Sequence, residues 1–316
     1  MIPLILGYTL DLLVGDPQGF PHPIRLIGKM IENVERVLRK KCKSAQDERR
    51  AGIILWFVVV LTSYAVPLVI LWLSSKISLL LAGAIETVMC AFILATKSLK
   101  DESMIVHKYL EQNDLSSARK YLSYIVGRDV ENLNSNQIAK AAVETVAENT
   151  SDGVIAPMLF ILIGGAPLGF LYKGINTLDS MVGYKNEKYI NMGRFSALLD
   201  DAANFLPSRI ASYLMIAASY ILNMDYVSAY RIYKRDRYNH KSPNSAHTES
   251  VCAGALNIML GGPNYYGGTL VTKPTIGDDK RPVVNDDIKK ANKLMYATSL
   301  LCLGIGITVK FLILSF

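Results

Sequence analysis

The chain has 316 residues, of which 51% are hydrophobic and only 19% charged, with a formal net charge of +7. Apolar content on that scale excludes a disordered chain, and a charged fraction below the roughly 25% of soluble domains argues against an ordinary soluble globule. Four scattered cysteines (Cys42, Cys90, Cys252 and Cys302), with no CxxC and no Cys/His pairing, exclude a disulfide framework and a zinc knuckle.

Residues 1–15 are apolar apart from Asp11 and form a weak candidate for a span or re-entrant segment. They lack the basic region and small-residue cleavage site of a signal peptide. The stretch Gly15–Arg25 then carries Pro17, Pro21 and Pro23, which predict a rigid, extended path. His22, held between two prolines, and Arg25 suit anion binding or proton transfer, while a structural turn at a membrane boundary is the competing reading. From Arg25 to Arg50 there are nine Lys/Arg, five of them between Arg36 and Lys43. No aromatic residues interleave them, so a membrane explanation outranks nucleic acid, and the positive-inside rule places this loop in the cytoplasm.

Ala51–Ser75 is 25 residues without a charge, longer than the roughly 20 needed to cross a bilayer. The expected spans are 53–73, 77–96 and 294–316, the second broken only by Glu86 and the third only by Lys310. Ser74-Ser75-Lys76 leaves room only for a tight turn between the first two. Residues 97–150, with seven Lys/Arg, return to the cytoplasm and carry helix-like spacing over Asp101–Arg119 and Asn136–Asn149, the latter with an N-cap at Asn134-Ser135. Segments 153–172 and 205–224 are possible spans or re-entrant elements. Gly164-Gly165-Ala166-Pro167 interrupts the first, and irregular backbone at membrane depth is tolerated where protein or a cavity covers it. If both cross, the polar motifs divide between the two sides. A one-sided arrangement, with both segments re-entrant or peripheral, is expected instead.

Four further motifs carry polar chemistry. Glu144, Glu148 and Asp152 follow i, i+4, i+8 and share one face of an unbroken helix, where like charges call for solvent, Lys/Arg or Mg²⁺. A solvated face is the bland alternative. Asn176–Glu187 packs Asn176, Asp179, Tyr184 and Lys185 beside an apolar segment, where Asp179 needs a partner or a metal. Arg194 precedes Leu199–Arg209, in which Asp200, Asp201 and Asn204 outline a Mg²⁺ face and Arg209 could meet a phosphate, unless the segment is merely an interfacial helix start. His240–Glu249, with Asn244, and the glycine-rich Gly261–Gly268, with Asn264, permit close backbone approach to a ligand. The patterns GxxxxGK[ST], HExxH, GxSxG and GxGxxG are absent.

The blocks GDP…PHPIRLIG, IVGRD, ETVAENTSDGVIAP, NTLDSMVGYKNEKY, GRFSALLDDAANFLPSR, SPNS…AGAL and LGGPNYYGG, in this order from about Leu4 to Tyr296, resemble the CbiB/CobD family of adenosylcobinamide-phosphate synthases. One departure is His247-Thr248, where the family pattern leads one to expect an aromatic residue or Gln followed by Pro. The resemblance implies an all-α, polytopic membrane protein forming a single domain over 1–316, with helical cytoplasmic loops that build the active site. It implies an amide ligase of cobalamin biosynthesis, joining the propionate carboxylate of adenosylcobyric acid to aminopropanol or its phosphate. Carboxylate and ammonium do not condense favourably in water, so ATP and Mg²⁺ are implied, through an acyl phosphate, with no tightly bound prosthetic group. On this resemblance His22, Glu144, Glu148, Asp179, Asp200 and Asp201 are the catalytic candidates, and Glu148, Asp152, Asp200 and Asp201 the metal candidates. Arg25, Arg128, Lys185, Arg194 and Arg209 would meet phosphate and propionate groups; Asn176, Asn204, Asn244 and Asn264 would position substrates, with Tyr184 and Glu249 beside them. The implied partners are a corrinoid, an amino-alcohol phosphate, the lipid bilayer and other membrane enzymes of late cobalamin assembly, with no nucleic acid. Two other classes compete. A prenyl or CDP-alcohol transferase would need an NDxxD, DxxxD or DG…AR…D…D pattern, and Leu199–Asn204 lacks its last acid. An AmpE-like membrane sensor would tolerate loss of the acidic clusters.

Overall fold

The structure, a computed structural model, describes residues 1–16 and 22–315. Pro17 and Pro21 of the proline motif lie outside the described residues. In chain order the helices are α1 (Ile2–Val14), α2 (Pro23–Arg39), α3 (Ala45–Ile77), α4 (Leu79–Ile93), α5 (Thr96–Glu111), α6 (Leu115–Leu122) and α7 (Ser135–Asn149). A π-helical turn (Thr150–Ile155) leads into α8 (Ala156–Val182), followed by α9 (Arg194–Ile221), α10 (Tyr226–Asp236) and α11 (Ser245–Leu256). Strands β1 (Met259–Gly261), β2 (Asn264–Tyr266), β3 (Thr269–Val271) and β4 (Thr275–Gly277) precede the last helix, α12 (Asp286–Ser315). β1 pairs antiparallel with β4, enclosing the β2–β3 hairpin in sequence.

Among the described residues, four helical stretches are long and apolar enough to cross a membrane: Ala45–Ile77, Leu79–Glu111, Ser135–Val182 and Asp286–Ser315. The chain is an all-α, polytopic membrane protein. Residues 205–224 fall mostly in α9, which is not one of the four. The first turn between spans comes later than the Ser74–Lys76 expected from the pattern. The hydroxyls of Ser74 and Ser75 donate back to Leu71 O (3.0 Å) and Trp72 O (2.7 Å), so neither needs to leave the helix. Ser78 makes the turn instead: its N–H closes α3 on Ser74 O, and its hydroxyl accepts from Leu80 N to open α4.

By internal packing the chain divides into two compact units. The first comprises Met1–Ala95, Ala156–Asn204 and Gly306–Phe316. Within it, α2 turns Ile27 and the fully buried Ile31 inward and leaves Arg25, Lys29 and Arg36 exposed. α8 is broken at Gly164 and Gly165, and Gly165 has φ 69°, a left-handed conformation that a side chain resists. The break leaves backbone groups without helical partners, and the two lone charges of the apolar runs meet them. Glu86 of α4 accepts from Ala166 N (3.3 Å), at the start of the second half-helix. Lys310 of α12 donates to Leu162 O, at the end of the first. Each charge has the sign that its half-helix dipole favours.

The second unit comprises Thr96–Ile155 and Phe205–Ile305. Asn134 caps α7 in a reciprocal capping box with Gln137. The expected helix over Asp101–Arg119 divides into α5 and α6 at Asn113, which takes a positive φ of 56°. Arg281 holds the fully buried Asp287 through two bonds of 2.7 Å, fixing the start of α12.

Candidate active site

The second unit contains a polar cavity of about 170 Å³, lined by Arg128, Glu144, Glu148, His240, Glu249, Asn264 and Lys273, with Asn149, Gly261 and Tyr266 completing the wall. α7 supplies Glu144 and Glu148 from one face, one turn apart. Glu144 is 5% exposed; it pairs with Arg128 Nη2 and accepts from Gly261 N (2.7 Å). Arg128 Nη1 donates to Asn264 Oδ1 (3.1 Å). The neighbouring Asp129 accepts from Gly267 N (2.9 Å) and Gly268 N (2.7 Å), which fastens the β2–β3 hairpin and so holds Asn264 beside Arg128. Glu148 accepts from the hydroxyl of Ser245 (2.7 Å), the first residue of α11.

Glu249, one turn into α11, is wholly enclosed. Burial, and then the Glu148 and Glu144 carboxylates beside it, push its pKa well above the usual carboxylate range, which favours its protonated form. His240 is pushed down, first by burial and then by Lys273, against the opposing pull of Glu148 and Glu144. Its Nδ1 accepts from Ser242 N (3.0 Å), which places the proton of the neutral ring on Nε2. The cavity thus joins one salt-bridged carboxylate, one hydroxyl-bound carboxylate and one protonated carboxyl with a guanidinium, an ammonium and an imidazole donor.

The first unit holds a different cluster. Asp200, 8% exposed, accepts from Asn204 Nδ2 (3.0 Å) and from the Asn176 side chain. Tyr172 donates to Asn204 Oδ1 (2.7 Å) and so fixes which way that amide points. The other Asp200 oxygen, Oδ1, is buried without a hydrogen-bond partner. Burial, then the Asp179 carboxylate, raise the Asp200 pKa from 3.8 to about 7. Gly183 makes room for Asp179: a Cβ at that position would stand 1.9 Å from Asp179 Oδ1. A larger cavity of about 680 Å³ in this unit, among α2, α3, α4 and Phe170, is lined almost entirely by apolar side chains.

Of the residues expected from the sequence, the structure therefore gathers Arg128, Glu144, Glu148, Glu249 and Asn264 in one cavity. It gathers Asn176, Asp179, Asp200, Asp201 and Asn204 in another cluster. Arg209 and Asn244 form a third pair, at 2.9 Å. Tyr184, Lys185, Arg194 and Arg25 are exposed. His22 caps α2, its Nδ1 accepting from Ile24 N and its Nε2 meeting Asp16 Oδ1 at 3.0 Å. Asp152 stands in the π-helical turn and does not line the cavity, so the shared face expected of an unbroken helix ends at Glu148. Lys273 and His240 line the cavity but were not among the expected residues. Lys273 lies outside every motif, and His240 stood inside one without a signal to separate it from its neighbours. Among the described residues, no three His, Cys, Asp or Glu side chains converge in a geometry able to hold a metal ion.

A profile of the family described as CobD/Cbib protein matches residues 4–295. The chain belongs to the CobD/CbiB family. It is 49% identical over 310 residues to the cobalamin biosynthesis protein CobD of Clostridium perfringens, covering 98% of each chain. It is 46% identical to the CobD protein of Citrobacter koseri, covering 98% of this chain and 97% of the relative. It is 45% identical to the cobalamin biosynthesis protein CbiB of Salmonella typhimurium, covering 96% of both. No solved structure matches the chain. These CobD/CbiB relatives therefore cover 96–98% of the chain.

Proposed function

We propose that this chain works in cobalamin biosynthesis as an amide ligase, joining the propionate carboxylate of adenosylcobyric acid to the amine of aminopropanol phosphate. The observation that carries this reading is the near-complete alignment with relatives named for cobalamin biosynthesis, at 45–49% identity. The polar cavity of the second unit is where the chemistry fits best, and the density of Lys/Arg in Arg25–Arg50 favours a cytoplasmic face for it.

A carboxylate resists attack by an amine because it is negatively charged and has no good leaving group. ATP with Mg²⁺ supplies the missing activation. The residues present fit such a group: Arg128 and Lys273 line the cavity with positive charge for phosphate oxygens, and Mg²⁺ takes one or two carboxylates with phosphate oxygens and water rather than a full protein cage. Glu148 is the carboxylate of the cavity that would hold it. Arg128, kept in place by Glu144 and Asn264, orients a carboxylate or phosphate by its two-pronged geometry. Glu249 enters protonated and can give its proton to a departing oxygen. His240 donates from Nε2 and steadies the charge that develops on the attacked carbonyl oxygen. The attacking ammonium must lose a proton first, and a carboxylate lining the cavity accepts it.

Purified protein incubated with adenosylcobyric acid carrying ¹⁸O in the propionate, aminopropanol phosphate, ATP and Mg²⁺ tests this. The amide product should form, with one ¹⁸O appearing in inorganic phosphate for each amide made. No product would sink the ligase reading; product with unlabelled phosphate would sink the acyl-phosphate route.

A further inference from the structure

In the second unit, away from the carboxylate cavity, α9, α10 and the start of α11 bring together Arg209, Tyr233, Arg237, Tyr238 and His247. Arg209 donates to Asn244 Oδ1 (2.9 Å) and to Pro243 O (3.4 Å), and Asn244 O accepts from His247 N (3.1 Å), so Arg209 and His247 meet on one turn of chain. Arg237 lies 5.3 Å from the Tyr233 ring centre and 5.1 Å from that of Tyr238. The His247 ring lies 5.6 Å and 5.8 Å from the same two rings.

Three features of this cluster bear on ligand binding. The arginine–carboxylate pairs among the described residues engage Arg39, Arg128, Arg231, Arg235 and Arg281, and neither Arg209 nor Arg237 has one. His247 is 1% exposed, and neither of its ring nitrogens has a hydrogen-bond partner. Arg237 Nε is also buried and unpartnered. Unmade bonds of this kind cost about 1–3 kcal/mol per buried polar group, a cost that a bound ligand able to accept or donate them offsets. Burial and the two arginines keep the His247 pKa down, at about 4, so the ring is neutral and offers a single N–H donor. Two fixed positive charges with a neutral donor match a small dianion with several oxygens better than a singly charged carboxylate. Tyr238, 65% exposed, lies edge-on to the His247 ring and is the surface side chain next to it.

We propose that Arg209, Arg237 and His247 form a receptor for a phosphate monoester dianion. The anion class follows from the charges alone; only the alcohol of the ester rests on the proposed reaction, in which an amino-alcohol phosphate is a substrate. A binding measurement without corrinoid or ATP separates the two, because it succeeds or fails whatever the chain synthesises.

The test uses full-length protein in detergent, with inorganic phosphate as the probe and chloride at matched ionic strength as the control. Phosphate, and not chloride, should bind saturably and raise the thermal unfolding midpoint. Arg237→Gln should weaken phosphate binding roughly 10- to 100-fold, and Arg237→Lys by less, since it keeps the charge and loses the fork. His247→Leu should raise the midpoint in the absence of phosphate and reduce the phosphate-induced shift. A purely structural His247 would instead show a fall in the phosphate-free midpoint, which overturns the proposal. O-phosphoethanolamine should compete with phosphate, as a free monoester must. Competition by phosphatidylglycerol vesicles alone would overturn the assignment to a monoester, and an equal phosphate shift in wild type and Arg237→Gln would overturn the site.

Discussion

Asp200→Asn separates a strained, working carboxyl from a merely structural one. In the folded chain burial and Asp179 hold the Asp200 pKa at about 7, against 3.8 for an ordinary aspartate. Between those values the folded protein keeps a proton that the unfolded chain releases. Stability therefore falls as pH rises from about 4 to about 7, and levels off above the folded pKa. The interval corresponds to roughly 4 kcal/mol at about 1.4 kcal/mol per pH unit, an upper bound because the site relaxes when it ionises. Asparagine keeps the shape, accepts from Asn204 and Asn176 through its carbonyl, and carries no charge beside Asp179. The variant should lie within about 1 kcal/mol of wild type near pH 4.5, become more stable than wild type by up to about 4 kcal/mol at pH 8, and lose the part of the slope between that Asp200 contributes. Denaturant unfolding of detergent-solubilised protein across pH 4.5–8.5 measures this. Equal destabilisation at both ends would refute the raised pKa and leave Asp200 as an ordinary packed polar group. If Asp200 also moves a proton during turnover, the limb of the pH–rate profile near 7 should vanish in the variant as well.

Arg128→Ala strands the Glu144 carboxylate at 5% exposure and should destabilise by about 3–5 kcal/mol, while the double variant with Glu144→Gln should recover part of that loss in an unfolding double-mutant cycle. Glu86→Ala removes the acceptor for Ala166 N at the break in α8 and should cost about 1–3 kcal/mol, whereas Glu86→Gln, which keeps an acceptor, should lose less. Gly183→Ala drives a Cβ to 1.9 Å from Asp179 Oδ1. Asp179 must then move, and the stability slope between pH 4 and 7 should flatten even though Asp200 is intact.

The sequence is legible where the physics is local. The cap of α7 at Asn134 and the break of α8 at Gly164-Gly165 both follow from residue type and spacing. The shared face of Glu144 and Glu148 follows in the same way, and it lines the cavity as helix periodicity demands. The face stops short of Asp152 because a π-helical turn changes the register, and nothing in the pattern of apolar residues marks that turn. Glu86 and Lys310 look like mere interruptions of two spans in a linear reading. Their purpose emerges only when both are seen to meet the broken α8. Lys273 and His240 are missing from the expected site for a similar reason, since the β1–β4 ladder and the turn before α11 bring them in from far along the chain. The first inter-span turn falls beyond the polar Ser74-Ser75-Lys76, because Ser74 and Ser75 satisfy their hydroxyls on carbonyls inside α3, which a short polar gap between two apolar runs does not reveal.

The most direct test of the account is amide formation by wild type and by Glu148→Gln, measured in a single turnover with both substrates, ATP and Mg²⁺. Glutamine preserves the size of the side chain and the bond from Ser245 but removes the charge that the cavity chemistry uses. The account predicts adenosylcobinamide phosphate from wild type and a rate lowered by roughly 10²–10⁴-fold in the variant, with an unchanged unfolding midpoint. Equal rates for the two proteins would contradict it and move the reaction out of the carboxylate cavity.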